Sequence, residues 1–301
     1  MAQTGNFHEG ELAVQQLAGV SGQAARLSRM LAAPRLDGGI GAFLAEREFV
    51  VITARDRAQR LWTSALWGTP GFLAAHDSTL IVDAVPSADD PLADLAAGQP
   101  VGLIAIEFAT RRRVRVNGTL VGVEPGRLTV EVDQAYGNCP QYIQQRTLTV
   151  EDAGAPAETA IHRDGLTAAD ADLIRAADTF FFGTIHPGRG ADASHRGGTT
   201  GFVRVDGPDL WWPDYPGNNM FNSLGNLAVD DSAALLFVDF AGGRALHLSG
   251  TAAVQWTAPG VAGDDGATGR RVRMHIETVA ESSLPVHAGG FTPSPYNPPL
   301  T

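Results

Sequence analysis

The stretch ASHRGGTTGF, residues 193–202, has a near twin 130 residues earlier in TSALWGTPGF, residues 63–72. Serine, Gly-Thr and Gly-Phe keep their spacing in both, but the polar part survives in only one. Leu66 stands where the later stretch has Arg196, and Trp67 where it has Gly197. The match extends outward. Val50-Val51-Ile52 falls on Phe180-Phe181-Phe182, and Leu80 on Leu210, at the same offset. Leu103 then falls on Leu235, Glu107-Phe108 on Asp239-Phe240, Arg112 on Arg244 and Gly118-Thr119 on Gly250-Thr251, now at an offset of 132. Self-similarity over so long a period reads as a duplicated domain rather than a short-period solenoid.

Each copy reads as β-rich. EFVVITA, TLIVDAV, VGLIAIEF, RVRVNGTLVGVE and RLTVEVD in the first are short runs of Val, Ile, Leu and Thr parted by Gly, Pro and Asp. DTFFFGTI, GFVRVD, DLWWPD, AALLFVDF, ALHLSGTAAVQW and RVRMHIE repeat the scheme. DPLADLAAG and MFNSLGNLA space their leucines as helices do, so each copy is expected to be a small antiparallel barrel crossed by one short helix. The expected division is a helical leader over 1–45, a first barrel over 46–150, and a linker with a Thr167-capped helix over 151–177. A second barrel over 178–285 and a proline-rich tail over 286–301 complete it.

Composition narrows the function. A net charge of −11 argues against nucleic acid, and no run of 18 apolar residues suggests a membrane span. The N-terminus has no basic-then-apolar signal, and the lone Cys139 excludes an internal disulfide; a cytoplasmic setting is expected. All 22 basic residues are arginine, which excludes a Walker-type phosphate lysine and a Schiff base. An anion must then be held by arginine forks, backbone N–H groups and neutral side chains. In RRRVR, Arg111, Arg113 and Arg115 share one face of a strand, and a solvated or interface strand is the expected use. His186 and His195 have no third ligand at zinc-like spacing, so no metal is expected.

The charged copy adds PDYPGNNMFNSLGNL, residues 213–227. Pro216-Gly217 is turn chemistry, Asn218 or Asn219 is a natural helix cap, and Asn222, Ser223 and Asn226 recur at helical spacing. With Arg196 arriving from a neighbouring strand, these residues suit a phosphate. NCPQYIQQR, residues 138–146, reads as a turn capped by Asn138 with Pro140 in the first helical turn.

ASHRGGTTGFVRV followed by LWWPDYPGNNMFNSLGNLAVDDSAALLFVDF resembles the FMN-binding split-barrel family, the pyridoxamine 5′-phosphate oxidase-like proteins. FHEGELAVQ and NCPQYIQQR give the first copy the look of the partner half in tandem members. The resemblance implies a mainly β fold with short helices, α+β in class: two tandem split β-barrels forming a pseudo-dimer, with flavin in the groove between them. It implies that Arg196 and the Asn218–Asn219 turn hold the FMN phosphate, supported by Ser223 and Asn226, with Gly197 also among the cofactor-binding residues. Ser194 and His195 would lie along the ribityl chain or ring edge, and Asp214 and Tyr215 at the mouth. The function it implies is an FMN-dependent oxidoreductase acting on a small molecule with an electron donor or acceptor; no catalytic side chain is singled out. A tail without arginine or lysine departs from a true pyridoxamine phosphate oxidase. A non-enzymatic flavin carrier or sensor, or a barrel taking FAD, a deazaflavin or haem, stays open. So do further homodimerisation and the role of Cys139.

Overall fold

The run EFVVITA has no polar face. In the computed structural model, which describes residues 7–31, 36, 38–151 and 160–301, both of its faces are covered. Helices α1 (Glu9–Leu17), α2 (Ser21–Ala25) and α3 (Gly39–Ala45) lead into it. The first half then supplies β1 (Phe49–Arg55), β2 (Leu61–Trp67), β3 (Leu73–His76), β4 (Thr79–Val82), β5 (Gln99–Glu107), β6 (Arg112–Glu124) and β7 (Arg127–Asn138). Short strands β8 (Leu148–Val150) and β9 (Ile161–Arg163) and helix α4 (Ala168–Ala176) follow. The second half supplies β10 (Thr179–His186), β11 (Gly190–Gly197), β12 (Arg204–Asp206), β13 (Asp209–Pro213), α5 (Asn222–Leu227), β14 (Ser232–Asp239), β15 (Arg244–Trp256), β16 (Arg270–Ser283) and β17 (Val286–Ala288).

Strand order in the first sheet is β2-β1-β5-β6-β7-β4-β3, and in the second β11-β10-β14-β15-β16-β13-β12. These are one order written twice, antiparallel throughout. Register agrees as well: Val51 faces Ala65 and Ile104 as Phe181 faces His195 and Leu236. Even the irregularity recurs, since pairing slips between Asn117 and Gly118 in one sheet and between Ser249 and Gly250 in the other. A Cβ on Gly118 would lie 2.1 Å from the Glu131 carbonyl oxygen, and one on Gly250 2.0 Å from that of His275. Both bulges therefore require glycine. The fold is mainly β with short helices, as the sequence leads one to expect.

Each sheet curls around its own apolar core. Val50 and Ile52 of β1 share a cluster with Leu80 and Val82 of β4, four strands away, about 19 Å in a flat sheet. Phe180, Phe182 and Trp212 occupy the matching core. The alternate residues Phe49, Val51, Ile104 and Phe181 fill a third cluster between the sheets. Hence the continuous hydrophobicity of β1 and β10, which a one-faced strand would not show. Backbones approach closely at this seam. A Cβ on Gly102 of β5 would meet the Asp192 Cα at 2.6 Å, and one on Gly183 of β10 the Thr63 Oγ1 at 2.3 Å.

Local expectations fared unevenly. Thr167 caps α4 through a capping box with Asp170, and the leader does form short helices. DPLADLAAG, by contrast, forms turns and no helix. Asp90 Oδ1 accepts from the Leu92 N–H (2.8 Å) and the Ser64 hydroxyl (2.6 Å), closing a local turn that competes with helix. Leu92 and Leu95 still reach the core. The tail crosses the surface: β17 pairs with β8, Thr292 bridges Gln145, and the Thr301 N–H donates to Asp265. Residues 152–159 of the expected linker lie outside the described residues. Among the described residues no helix is long and apolar enough to cross a membrane.

Candidate functional site

A cleft opens where β11 of the second sheet lies against β6 of the first. β11 brings His195, Arg196 and Gly197, and β13 with its following loop brings Trp212, Tyr215, Gly217 and Asn218. From the other sheet come Arg113 and Arg115, with Asn138 at the end of β7 and Cys139 and Tyr142 beyond it. Arg115, Arg196, Tyr215 and Asn218 also line an adjoining hollow that runs past Asp214 and Asn219 to Asn222 and Ser223 at the start of α5. A Cβ on Gly197 would sit 2.0 Å from the Tyr142 carbonyl oxygen, so this wall closes only with glycine there. Tyr142 itself has φ 65°, an uncommon conformation for a bulky residue. Its hydroxyl donates to the Pro216 carbonyl (2.7 Å) and its ring lies 5.0 Å from that of Tyr215, so the two halves are tied across the cleft.

Cations dominate the interior. Arg115 Nη1 donates to both oxygens of Asp192 (3.1 and 3.0 Å), and Arg196 Nη1 to Asp214 Oδ1 (3.1 Å). The other oxygen of Asp214 takes Arg270 Nε at 2.9 Å. Arg113 turns instead to His195, donating to its Nδ1 (2.9 Å) and carbonyl oxygen (3.3 Å). Four guanidiniums thus face two carboxylates. Burial, with Arg115 nearby, pushes Arg113 down to about 9, and burial lowers Arg196 against the pull of Asp214. Burial opposes the charge of Arg115 too, but Asp192 and Tyr136 hold it above the ordinary arginine value. Burial and then Arg113 keep His195 well below the usual histidine range. The Nε atoms of Arg113, Arg115 and Arg196, His195 Nε2 and Trp212 Nε1 are buried without a hydrogen-bond partner.

Of the residues read from the sequence, His195, Arg196, Gly197, Tyr215 and Asn218 line the cleft, and Asp214, Asn219 and Ser223 its adjoining hollow. Ser194 and Asn226 line neither. Ser194 is fully buried, its hydroxyl donating to the Phe182 carbonyl, and Ser223 bridges it to Asp192. Asn226 faces the leader, meeting His8 Nε2 and donating to Thr184. The expected caps are absent: α5 begins after Phe221 with no side-chain cap, while Asn218 Oδ1 accepts from the Met220 N–H in a local turn. Asn138 ends β7 and caps nothing, and 139–142 is a turn in which the Gln141 N–H points at Cys139 Sγ. Arg113 and Arg115, read as a solvated or interface strand, are two of the three arginines that line the cleft, Arg196 being the third. Arg111 precedes β6 and anchors the tail by donating to the carbonyls of Thr292 and Pro293.

The pseudo-equivalent seam, where β2 lies near β15, is filled. Leu66 replaces Arg196, Ala245 replaces Arg113, His247 replaces Arg115 and Trp62 replaces Asp192, all buried. His247 Nδ1 lies 2.9 Å from the Thr63 carbonyl oxygen and its Nε2 2.8 Å from the Ser282 hydroxyl. Because that carbonyl only accepts, Nδ1 carries the proton and Nε2 takes the serine's. None of these polar atoms lacks a partner. Elsewhere His8, Glu9 and His186 bring possible metal-ligating atoms within 4.8 Å of one another. Both Nδ1 atoms accept backbone N–H groups, from Gly10 and Gly188, so each Nε2 carries its proton toward Asn226 or Glu9. This is a closed hydrogen-bond cluster tying α1 to β10.

No known protein family profile matches the chain, and no curated protein does. Among solved structures, a putative pyridoxamine 5′-phosphate oxidase from Lactobacillus delbrueckii is similar at 17% identity and TM-score 0.32, over 38% of this chain and 93% of its own. HupZ from Group A Streptococcus is similar at 16% identity and TM-score 0.33, over 41% and 99%. An FAD-binding protein from Mycobacterium smegmatis is similar at 11% identity and TM-score 0.28, over 40% and 97%.

Proposed function

We propose that this chain is a flavoprotein of the split-barrel kind, holding FMN in the seam cleft and using it to oxidise or reduce a small molecule. The observation that carries this reading is the excess of buried donors: four guanidiniums, three of them lining the cleft, against two carboxylates, with the Nε atoms of the three lining arginines buried without a partner. Leaving buried donors unmade costs about 1–3 kcal/mol each, more when charged, so a ligand that supplies oxygens is the economical partner. A phosphate monoester at the hollow shared by Arg115, Arg196 and the Asn218–Asn219 turn accepts from the two guanidiniums there and leaves the charge of Arg113, in the other half of the cleft, unmet. Phe202, Trp212, Tyr142 and Tyr215 suit a flat ring in the rest of the cleft. When bound, the flavin supplies hydride or electron transfer, and the protein supplies position and field. Asp214 keeps Arg196 extended, Asp192 does the same for Arg115, and Ser223 braces Asp192 from α5.

On this reading residues 46–150 and 178–285 are two copies of one barrel, and a single chain does the work of a dimer. The described residues of the leader (1–45), the linker (151–177) and the tail (286–301) brace the pair. One copy keeps the phosphate grip and the other has sealed its own. The test is a visible absorption spectrum of the purified protein with an FMN titration. One FMN per chain is expected; two per chain would reopen the β2–β15 seam, and no binding of FMN would overturn the reading.

A further inference from the structure

We propose that Arg113 and His195 form a second subsite of the same cleft, one that takes a carboxylate borne by the small-molecule substrate. The proposal rests on the cleft being a ligand site, not on which cofactor shares it. Arg115 and Arg196 both reach the hollow beside α5 and each faces a carboxylate; Arg113 lines only the other half. Among the described residues no carboxylate pairs with Arg113, and its Nε is buried without a partner. A buried charge left so is costly unless something arrives to meet it.

His195 completes the pair. A guanidinium only donates, so the 2.9 Å contact makes His195 Nδ1 the acceptor and leaves the ring neutral with its proton on Nε2. That Nε2 is also buried and unpartnered, on a residue 4% exposed. Two unfilled donors and one surplus positive charge call for a group that only accepts and carries one negative charge. A carboxylate fits, since its two oxygens match a guanidinium edge, whereas a phosphate dianion exceeds the charge available here. Phe202 and Trp212 line the same half, so a flat apolar skeleton behind the carboxylate is favoured.

Isothermal titration of the whole chain with benzoate and with benzamide, its neutral isostere, tests this with and without saturating FMN. Wild type is expected to bind benzoate at least about tenfold more tightly than benzamide, as loss of a charged hydrogen bond implies. Arg113→Met and His195→Gln are each expected to bring that ratio close to one. Because Arg113→Met removes an unpaired buried charge, its melting temperature should hold or rise. Equal or absent binding of the two probes to wild type overturns the subsite, as does a preference that survives in folded Arg113→Met. Arg113-dependent benzoate binding by a chain that refuses FMN sustains the subsite and sinks the flavin reading alone.

Discussion

Arg196→Ala is expected to weaken FMN binding roughly ten- to a hundredfold while the fold stands. The arginine's Nη1 holds Asp214 Oδ1 at 3.1 Å, but the other oxygen of Asp214 keeps Arg270 Nε at 2.9 Å, so no buried carboxylate is stranded by the change. What goes is a charged hydrogen bond to the phosphate, worth about 1.5–3 kcal/mol. At about 1.4 kcal/mol per decade this gives the stated range. Arg115 remains on the opposite wall, so binding persists. The Arg196 side chain is 23% exposed, and its Asp214 partner, 5% exposed, keeps Arg270, so the lost pair should cost about 1 kcal/mol. The melting temperature of the variant should therefore fall by no more than about 2–4 °C. Fluorescence titration of FMN against wild type and variant, alongside thermal melts, reads both quantities. An FMN affinity within twofold of wild type in a folded variant would remove Arg196 from the phosphate site.

Gly102→Ala places a Cβ 2.6–2.7 Å from the backbone of Asp192 and Ala193, where nothing flexible can yield. A loss of about 1–3 kcal/mol by urea denaturation is expected, with weaker FMN binding as β11 is displaced; an unchanged midpoint contradicts the close packing. Leu66→Arg buries an unpaired charge in the sealed seam and should abolish cooperative melting rather than create a second site; a stable variant binding two FMN would refute the sealed seam. Burial pushes Glu11 up to about 7 from 4.5, while burial and then His186 push His8 down to about 4 from 6.5. Between pH 4.5 and 6.5 native Glu11 holds a proton that the unfolded chain has released, so its contribution falls as pH rises. His8 stays neutral where the unfolded chain protonates it, so its contribution rises over the same window. The two offset each other in wild type. His8→Gln should therefore lose on the order of 2–3 kcal/mol from pH 4.5 to pH 7 by urea denaturation, and a flat or rising profile would refute the assignment.

The internal repeat and the strand segments were both written along the chain. Strands announce themselves through local composition, and the offset between Val51 and Phe181, or between Gly118 and Gly250, is visible without any coordinates. Glycine at both bulges is a backbone requirement, so the sequence carries it directly. The cleft was legible by half. His195, Arg196 and Tyr215 lie in a contiguous stretch with a polar signature, but Arg113 and Arg115 belong to a strand whose alternation reads equally well as a solvated face. What turned that face inward is the docking of β6 on β11, which joins Arg113 to His195 across 82 residues of chain. The same holds for His8 and Asn226, 218 residues apart. Periodicity reports which side chains share a face; which face meets which is decided by apolar burial along Phe49, Val51 and Phe181, a choice made only when the two sheets pack.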